Sequence, residues 1–404
     1  MGISAVFEDA KGAEFAVSLW HVDWTEWNLL HKRLDPGQIE RAKSGARLKA
    51  IAVSGGRNEE DRSIYLDNLA VFVEKAVPGD RARIRITRKK RNYAEARLEE
   101  ILTPSADRVA APCRYSGICG GCTWQFLRYE RQLEYKRQHV AESLEHIGAI
   151  TGVPVHATLP SPSLFGYRNK MEFTCTDRRW LLPEEMGQPG AESDFAIGLH
   201  VPGTFHKVID IAECLLQPAA GNRILEAIRG FIRSSGQPVY GLRSHAGFWR
   251  FAMLRNSAAN GGWMVNIITA FEDRAMVTTL AERLTAAFPE VVSVVNNVTA
   301  RHAGVAVGEF EHGVAGAPSI RDAIGRFEFD VSANSFFQTN TRGAALLYRT
   351  VLEYAGMEGQ ETVLDLYSGT GTIPIFISEH CREVVGIEII ASSVADAERN
   401  CRLN

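Results

Sequence analysis

Three cysteines fall within ten residues, as Cys113-x5-Cys119-x2-Cys122 in the run Pro112-Cys-Arg-Tyr-Ser-Gly-Ile-Cys-Gly-Gly-Cys-Thr-Trp-Gln125. Gly120 and Gly121 free the backbone between the last two, so the three side chains can converge on one point. A disulfide would leave one of them unpaired. The chain has seven cysteines, an odd number and partly clustered, which favours metal ligation in a reducing compartment over a disulfide framework. Soft thiolates with no carboxylate among them suit zinc or an iron–sulfur cluster, and a fourth ligand must come from elsewhere.

At 404 residues the chain can form two to four domains with cores of their own. No apolar run approaches the ~18 residues of a membrane span. Asp9 and Lys11 interrupt the first residues, so no signal peptide is expected, and the expected location is the cytoplasm, with no membrane partner and a monomeric state. The formal net charge of −3 excludes a polycationic surface overall, yet one patch is basic: Arg81, Arg83, Arg85, Arg88, Lys89, Lys90 and Arg91 lie within eleven residues. The first three alternate with Ala82, Ile84 and Ile86, the period of a strand with one apolar and one basic face. That face is either solvated or binds phosphates of a nucleic acid, with Tyr93 placed to stack on a base.

Residues 1–46 carry Trp20, Trp24 and Trp27 and no motif that assigns them. Short strands are expected at 49–53, 63–66, 70–73, 82–87 and 93–101, separated by turn signals such as Gly55-Gly56 and Pro78-Gly79, the pattern of a small barrel over 47–104. The cysteine segment and an amphipathic helix over 124–147 occupy 105–150. An α+β domain is expected over 151–328, with strands at 169–175, 196–200, 262–268 and 291–298 and helices at 220–234 and 272–288. From 329 to 404 the pattern is that of a doubly wound fold.

There the run Thr362-Val-Leu-Asp-Leu-Tyr-Ser-Gly-Thr-Gly-Thr372 reads as strand, glycine turn and helix start, with Thr370 or Thr372 as the helix cap and Pro374 in the first turn. A second strand at 384–387 ends in Glu388, nineteen residues past Gly369, where a βαβ unit sets a carboxylate against ribose hydroxyls. A dinucleotide fingerprint wants glycine where Pro374 stands. The Asp365-x3-Gly369-x-Gly371 pattern fits S-adenosylmethionine better.

Taken together, these segments resemble the RNA uracil-C5 methyltransferases of the iron–sulfur type, over about residues 50–404. Residues 50–104 look like that family's TRAM barrel, an OB-like RNA-binding module. Cys113, Cys119 and Cys122 match its cluster motif, and Asp210-Ile-Ala-Glu-Cys214-Leu-Leu-Gln matches the segment bringing the fourth ligand. Tyr167-Arg-Asn-Lys-Met-Glu-Phe173 matches a motif of its central domain, and Ser332-Ala-Asn-Ser-Phe-Phe-Gln-Thr-Asn-Thr341 the segment entering its catalytic domain. The resemblance implies a multidomain α/β protein: a TRAM barrel, a central α+β domain and a Rossmann-like S-adenosylmethionine-dependent methyltransferase domain. It implies a [4Fe–4S] cluster on Cys113, Cys119, Cys122 and Cys214, where ligand type alone leaves zinc open, with His206 a candidate zinc ligand. It implies S-adenosylmethionine on Gln338, Tyr367, Gly369, Gly371, Thr372 and Glu388. The RNA partner, 23S ribosomal RNA ahead of transfer RNA, would meet Arg83, Arg85, Lys89 and Lys90, and Phe336 or Phe337 would stack on an extruded base.

The chemistry that the resemblance implies needs a cysteine to add to uracil C6 and a carboxylate to remove the C5 proton. In the family both follow later strands, near an Asp-Pro-Pro-Arg type motif. No Pro-Pro-Arg occurs here, Cys381 and Cys401 stand on other elements, and Cys175 matches no ligand position. No catalytic residue is therefore assigned, and the nucleophilic cysteine and the base are expected beyond Asn404. The expectation is an incomplete catalytic domain in an inactive, C-terminally truncated chain. Two alternatives remain: a non-catalytic RNA-binding fragment, and a radical S-adenosylmethionine enzyme, which needs Cys-x3-Cys-x2-Cys where this chain has a first gap of five.

Overall fold

The computed structural model describes residues 71–404, apart from 91–92, 190–192, 303 and 305, and the backbone alone of 2–8, 14–21, 47–54 and 70. The chain divides into two compact units, residues 1–110 with 126–132, and residues 111–125 with 133–404.

In the first unit, β1 (Gly2–Glu8), β2 (Glu14–His21) and β3 (Arg47–Ser54) form an antiparallel sheet in the order β2-β1-β3. The strand expected at 49–53 thus pairs with a partner inside 1–46, a segment left unassigned from the sequence. A second sheet, β4-β6-β5, is built from β4 (Ala70–Glu74), β5 (Arg81–Lys89) and β6 (Tyr93–Thr103), with β4 parallel to β6 and β5 antiparallel to it. The strand expected at 63–66 lies outside the described residues.

The basic run needs correcting. Its own segment holds no acid, but the antiparallel register sets β6 glutamates beside it: Arg83 pairs with Glu100, Arg85 with Glu99 at 2.5 Å and Arg88 with Glu95 at 3.7 Å. Exposed pairs of this kind add little stability, but they cancel charge that a phosphate would otherwise meet. Sequence periodicity could not reveal them because the acids arrive through strand pairing. Phe72, largely exposed on β4, stands edge-on to Tyr93 with centroids 5.6 Å apart.

One buried ion pair ties this unit together. The Asp80 carboxylate, 1% exposed, accepts from Val77 N (2.7 Å), Ser105 N (2.9 Å) and the Arg108 guanidinium (2.5 Å). Burial pushes its pKa up, but the bonds from Arg108, Ser105 and Val77 outweigh that and hold it at about 2. Because the folded value lies below the unfolded one, this stabilisation is complete above about pH 4 and fades as pH falls toward 2. Asp80→Asn is expected to cost about 2 kcal/mol at pH 7. Denaturant titrations at pH 7 and pH 2.5 check it: a gap between variant and parent that does not narrow in acid contradicts the assignment.

The last of the three boundaries between the units falls within α1 (Tyr129–Glu142), which is prolonged by a π-turn over Ser143–Ile147. The helix expected from 124 begins at 129, because residues 126–128 are held extended. Val109 N donates to Phe126 O and Arg128 N to Asp107 O, both at 2.9 Å, and Leu127 is buried.

The second unit is organised on a seven-stranded sheet. Its strands are β7 (Lys170–Thr176), β8 (Ala196–His200), β9 (Val208–Asp210), β10 (Trp249–Asn256), β11 (Trp263–Thr269), β12 (Val291–Val298) and β13 (Phe310–Gly316), in the order β13-β12-β11-β10-β7-β8-β9. Two helices follow β9 and β11: α2 (Ala219–Ser234), which buries Ile224, Leu225, Ile228, Phe231 and Ile232, and α3 (Arg274–Ala287), capped by the Asp273 carboxylate on Met276 N at 3.1 Å. The crossover through α3 lets β11 and β12 pair in parallel, as a βαβ connection does. The apolar stripes of both helices pack on Phe173, Ala252, Leu254, Val265 and Val294, which point to one face of the sheet.

The rest of the unit begins with a hairpin, β14 (Ser319–Ile324) and β15 (Phe327–Ser332). It continues through α4 (Thr341–Ala355), β16 (Thr362–Leu366), α5 (Thr372–Ile377), β17 (Glu383–Ile387) and α6 (Ala391–Leu403). β16 and β17 form a parallel two-stranded sheet. The core here joins Phe329, Val331, Phe337, Tyr348 and Phe376. Asp396 of α6, 1% exposed, fastens α6 to β15: it accepts from Ser332 Oγ at 2.7 Å, from Ser335 Oγ and from Arg399. Asn404 makes a second fastening at the end of α6. Its Oδ1 accepts from Glu328 N at 2.9 Å, and its Nδ2 donates to Glu328 O at 2.7 Å.

Candidate active site and cysteine pocket

The four cysteines singled out by spacing and resemblance line one small cavity together with Gln125 and Leu199. The cysteine loop is folded by its own backbone: Ser116 N donates to Cys113 O, Cys119 N to Tyr115 O, and Gly121 N to the Cys119 sulfur at 3.3 Å. It is stitched to the sheet where Gly120 N meets His200 O at 2.9 Å; a Cβ at Gly120 would stand 2.9 Å from that same oxygen, so only glycine fits. Cys214 comes from the loop after β9, its N–H held by Asn222 Oδ1 at 2.9 Å. The Tyr115 hydroxyl accepts from Ala212 N at 3.0 Å and so joins the two segments.

None of the four is in a disulfide. Burial above all, with smaller contributions from the other three cysteines and against the bond from Gly121 N, raises the Cys119 thiol to about 11. Burial also raises Cys122 and Cys214. Among the described residues, no three His, Cys, Asp or Glu side chains stand close enough to hold a single metal ion. His206 does not line this cavity; its ring stands edge-on to Phe205 at 4.9 Å. Cys175 is buried in the sheet core beneath α2.

The second site gathers where β16 and β17 end, the edge at which open α/β sheets bind ligands. The chain leaves β16 through Tyr367, a non-glycine residue at φ 64°, then Gly369 at 56° and Gly371 at 79°. A Cβ at Gly369 would meet nothing within 4 Å, so that turn faces open space, whereas one at Gly371 would press on Ala397 at 3.2 Å. Glu388 follows β17 and spans the two loops: Oε1 accepts from Ile389 N (2.8 Å) and Ile390 N (2.9 Å), and Oε2 from Gly369 N (3.0 Å). The bonds from Ile390 and Gly369 hold its carboxyl below the usual range against the opposing effect of burial. Tyr367 is 88% exposed above them.

The threonines act differently from the expectation. α5 has Gly371 as its N-cap, and no side chain caps it. Thr372 Oγ1 instead bonds the Tyr348 hydroxyl at 2.9 Å, and Thr370 Oγ1 meets Phe336 O at 3.4 Å. Gln338 reaches the same Tyr348 hydroxyl. Two side chains from separate segments, Gln338 and Thr372, thus meet on the Tyr348 phenol. Tyr348 was missed from the sequence because in an amphipathic helix it reads as one more core aromatic. Phe336 and Phe337 part company: Phe336 is 65% exposed, but Phe337 is buried against Phe329. The expectation that Phe337 contacts RNA is corrected, since core packing consumes its ring.

Gln338 is positioned from the seven-stranded sheet. Buried Asn169 donates from its backbone to Thr339 O (2.8 Å) and from Nδ2 to Gln338 O (2.8 Å) and Thr341 Oγ1 (2.7 Å). Arg255, fully buried on β10, donates to Ser335 O at 2.7 Å. Cys381 lies at the opposite edge, before β17, with its thiol against Ile377 O. Cys401 is on α6, exposed. Neither cysteine stands at the glycine turn. Asn404, past which the nucleophile and the base were expected, has no place in the site itself: its amide is consumed by both backbone groups of Glu328 on β15.

The β16–α5–β17 unit is a nucleotide-type βαβ site, and similarity to known proteins places the chain among methyltransferases. A family profile described as TRAM domain matches residues 55–98. The chain is 43% identical over 379 residues, 93% of its own length and 78% of the relative's, to an RNA methyltransferase of Chlorobaculum tepidum described as uncharacterized. It is 36% identical over 358 residues to one of Porphyromonas gingivalis, covering 84% of this chain and 74% of that one. Among solved structures it resembles the Pyrococcus abyssi tRNA (uracil-54, C5)-methyltransferase in complex with S-adenosyl-L-homocysteine, at 25% identity and a TM-score of 0.63, over 83% of this chain and 73% of that one. This chain belongs to the RNA methyltransferases.

Removing the Asn169 amide leaves the Thr341 hydroxyl and the Gln338 carbonyl without their buried partner. Asn169→Ala is expected to lower the stability of the second unit by about 2–3 kcal/mol. Denaturant unfolding checks it; a loss below about 0.5 kcal/mol, the range of surface changes, contradicts the assignment.

Proposed function

We propose that the chain takes part in S-adenosylmethionine-dependent methylation of uracil C5 in RNA, with a [4Fe–4S] cluster on Cys113, Cys119, Cys122 and Cys214. The observation that carries the cofactor reading is the Glu388–Gly369 bridge beside the Gln338–Tyr348–Thr372 cluster, at the strand ends where such folds bind nucleosides. Glu388 is half-buried, and each of its carboxylate oxygens keeps acceptor capacity that suits ribose hydroxyls; Gly369 leaves room for close approach, and Tyr367 offers an exposed ring. Uracil C5 as the acceptor is supported by the likeness to the Pyrococcus enzyme. The RNA proposed is 23S ribosomal RNA; transfer RNA is the second reading, favoured by the substrate that enzyme's name carries.

The donor set fits a cluster. Four free thiols line one apolar cavity without disulfides. Buried thiols resist ionisation, so a cationic metal centre would be needed to hold four thiolates there, and the choice of a cluster over zinc rests on the resemblance of the cysteine segments. Protein prepared without oxygen is expected to bind iron and sulfide and to be brown, and Cys119→Ser to lose that absorbance and lower the midpoint of unfolding. Retained colour in Cys119→Ser, or stoichiometric zinc in the parent, would sink the cluster.

For RNA, Lys89 and Lys90 are expected to matter more than Arg83 and Arg85, whose charges are met by Glu100 and Glu99. Replacing all four with alanine should weaken RNA binding and make its salt dependence shallower by about one unit of slope or more. Unchanged affinity and slope would mark the strand as a solvated face.

S-adenosylhomocysteine binding by calorimetry, lost in Glu388→Ala, tests the cofactor reading; equal binding by both proteins would refute it. Since no cysteine among the described residues stands at the glycine turn, we further propose that these 404 residues alone do not transfer the methyl group. Tritiated cofactor incubated with unmodified ribosomal RNA checks it, and stoichiometric label at a uridine C5 would overturn it.

A further inference from the structure

A second cavity, outside both sites already described, opens on the face of the seven-stranded sheet away from α2 and α3. Its volume is about 330 Å³ and its walls include Thr174, His200, Tyr240, Arg250, Phe251 and His302. We propose that it is a subsite for one unpaired base of the RNA substrate, other than the base that is methylated. The proposal rests on the RNA reading above and names a contact which that reading lacks.

The walls are made for a flat heterocycle. His302 and His245 stack face to face, with centroids 4.3 Å apart and planes within 1°. His245 is held at φ 56° in that arrangement, an uncommon conformation for a residue with a side chain. Arg250 is almost wholly buried: Nη1 donates to Thr299 O at 2.8 Å and to Arg301 O at 2.6 Å, and its guanidinium lies 4.4 Å over the Tyr240 ring. The His200 imidazole bonds Thr174 Oγ1 through Nε2 at 2.9 Å, while its Nδ1 is buried with no partner. A base ring entering here finds the exposed imidazole planes of His245 and His302 to stack on and the unpartnered His200 Nδ1 at the wall to hydrogen-bond. No carboxylate is among the described residues lining it, so the adjoining phosphates are not repelled.

Position supports the same occupant. Phe251 lies near the start of β10, and Arg255, near its end, holds Ser335 of the segment leading to Gln338. The cavity is therefore roughly 13 Å along one strand from that segment. A short single-stranded stretch of RNA could occupy both.

Gly304 lines the cavity, and a Cβ there meets nothing within 4 Å, so a side chain can be added at its mouth without a clash at the backbone. The test uses Gly304→Trp and His302→Ala in the full chain, with a labelled unstructured RNA of about 12 nucleotides followed by fluorescence anisotropy. Each variant is expected to bind roughly 5- to 100-fold more weakly, the range for one lost stacked base. The slope of affinity against salt should stay unchanged, because no phosphate contact is lost. Circular dichroism melting reports whether each variant is folded, and the two substitutions act oppositely on volume, so a common loss of affinity in folded proteins reports the subsite. If the parent binds RNA and the lysine and arginine replacements on β5 weaken it, but neither cavity variant does, the subsite is refuted and the RNA reading stands. If the parent binds no RNA, both fall.

Discussion

Asn169 is the residue on which the functional half of the molecule depends. Its backbone N–H and its side-chain amide hold three groups of the 338–341 segment, and its own carbonyl accepts from Asn256 N at 2.7 Å. Thr341 passes the network on to Asp322, which in turn takes Ser257 Oγ at 3.1 Å and Ala259 N at 3.0 Å. Every link is buried or nearly so, where hydrogen bonds reinforce one another and a missing partner is costly. The network converts a strand of the central sheet into the support for Gln338, and thence for the Tyr348 phenol and the glycine turn.

Around that junction the two sheets do different work. The seven-stranded sheet is buried on its α2–α3 side by one apolar core, while its opposite side carries Met264 and Val295 against the β14–β15 hairpin, the smaller cluster of Phe251, Met253 and Ile268, and the second cavity. Strand β8 illustrates the division: Leu199 lines the cysteine cavity on one side, and His200 lines the other cavity on the opposite side. The Gly120–His200 backbone bond ties the cysteine loop to that same strand.

The nucleotide-type site is held from three directions. Glu388 joins the loops after β16 and β17, Tyr348 ties α4 to α5, and Asn400 of α6 donates to Thr370 O at 3.1 Å while accepting from Asp330 N at 2.8 Å. Positive φ at Tyr367, Gly369 and Gly371 is tolerated because these supports over-determine the turn.

Local pattern was enough for much of this. The period of two at 82–87 and the strands at 196–200 and 291–298, the amphipathic α2 and α3, and the strand–glycine–helix–strand–acid order ending at Glu388 were all legible, because each is set by neighbours in the chain. The four cysteines were legible as a set only through resemblance, since Cys214 arrives from a distant loop. What tertiary structure alone decided was which groups meet across strands and layers: the glutamates of β6 beside the β5 arginines, Phe337 buried and Phe336 exposed, Tyr348 between Gln338 and Thr372, Asn404 fastened to Glu328, and the histidine–arginine cavity on the open sheet face. Periodicity states which way a side chain points, but the identity of its neighbour depends on strand register and on packing between elements remote in sequence.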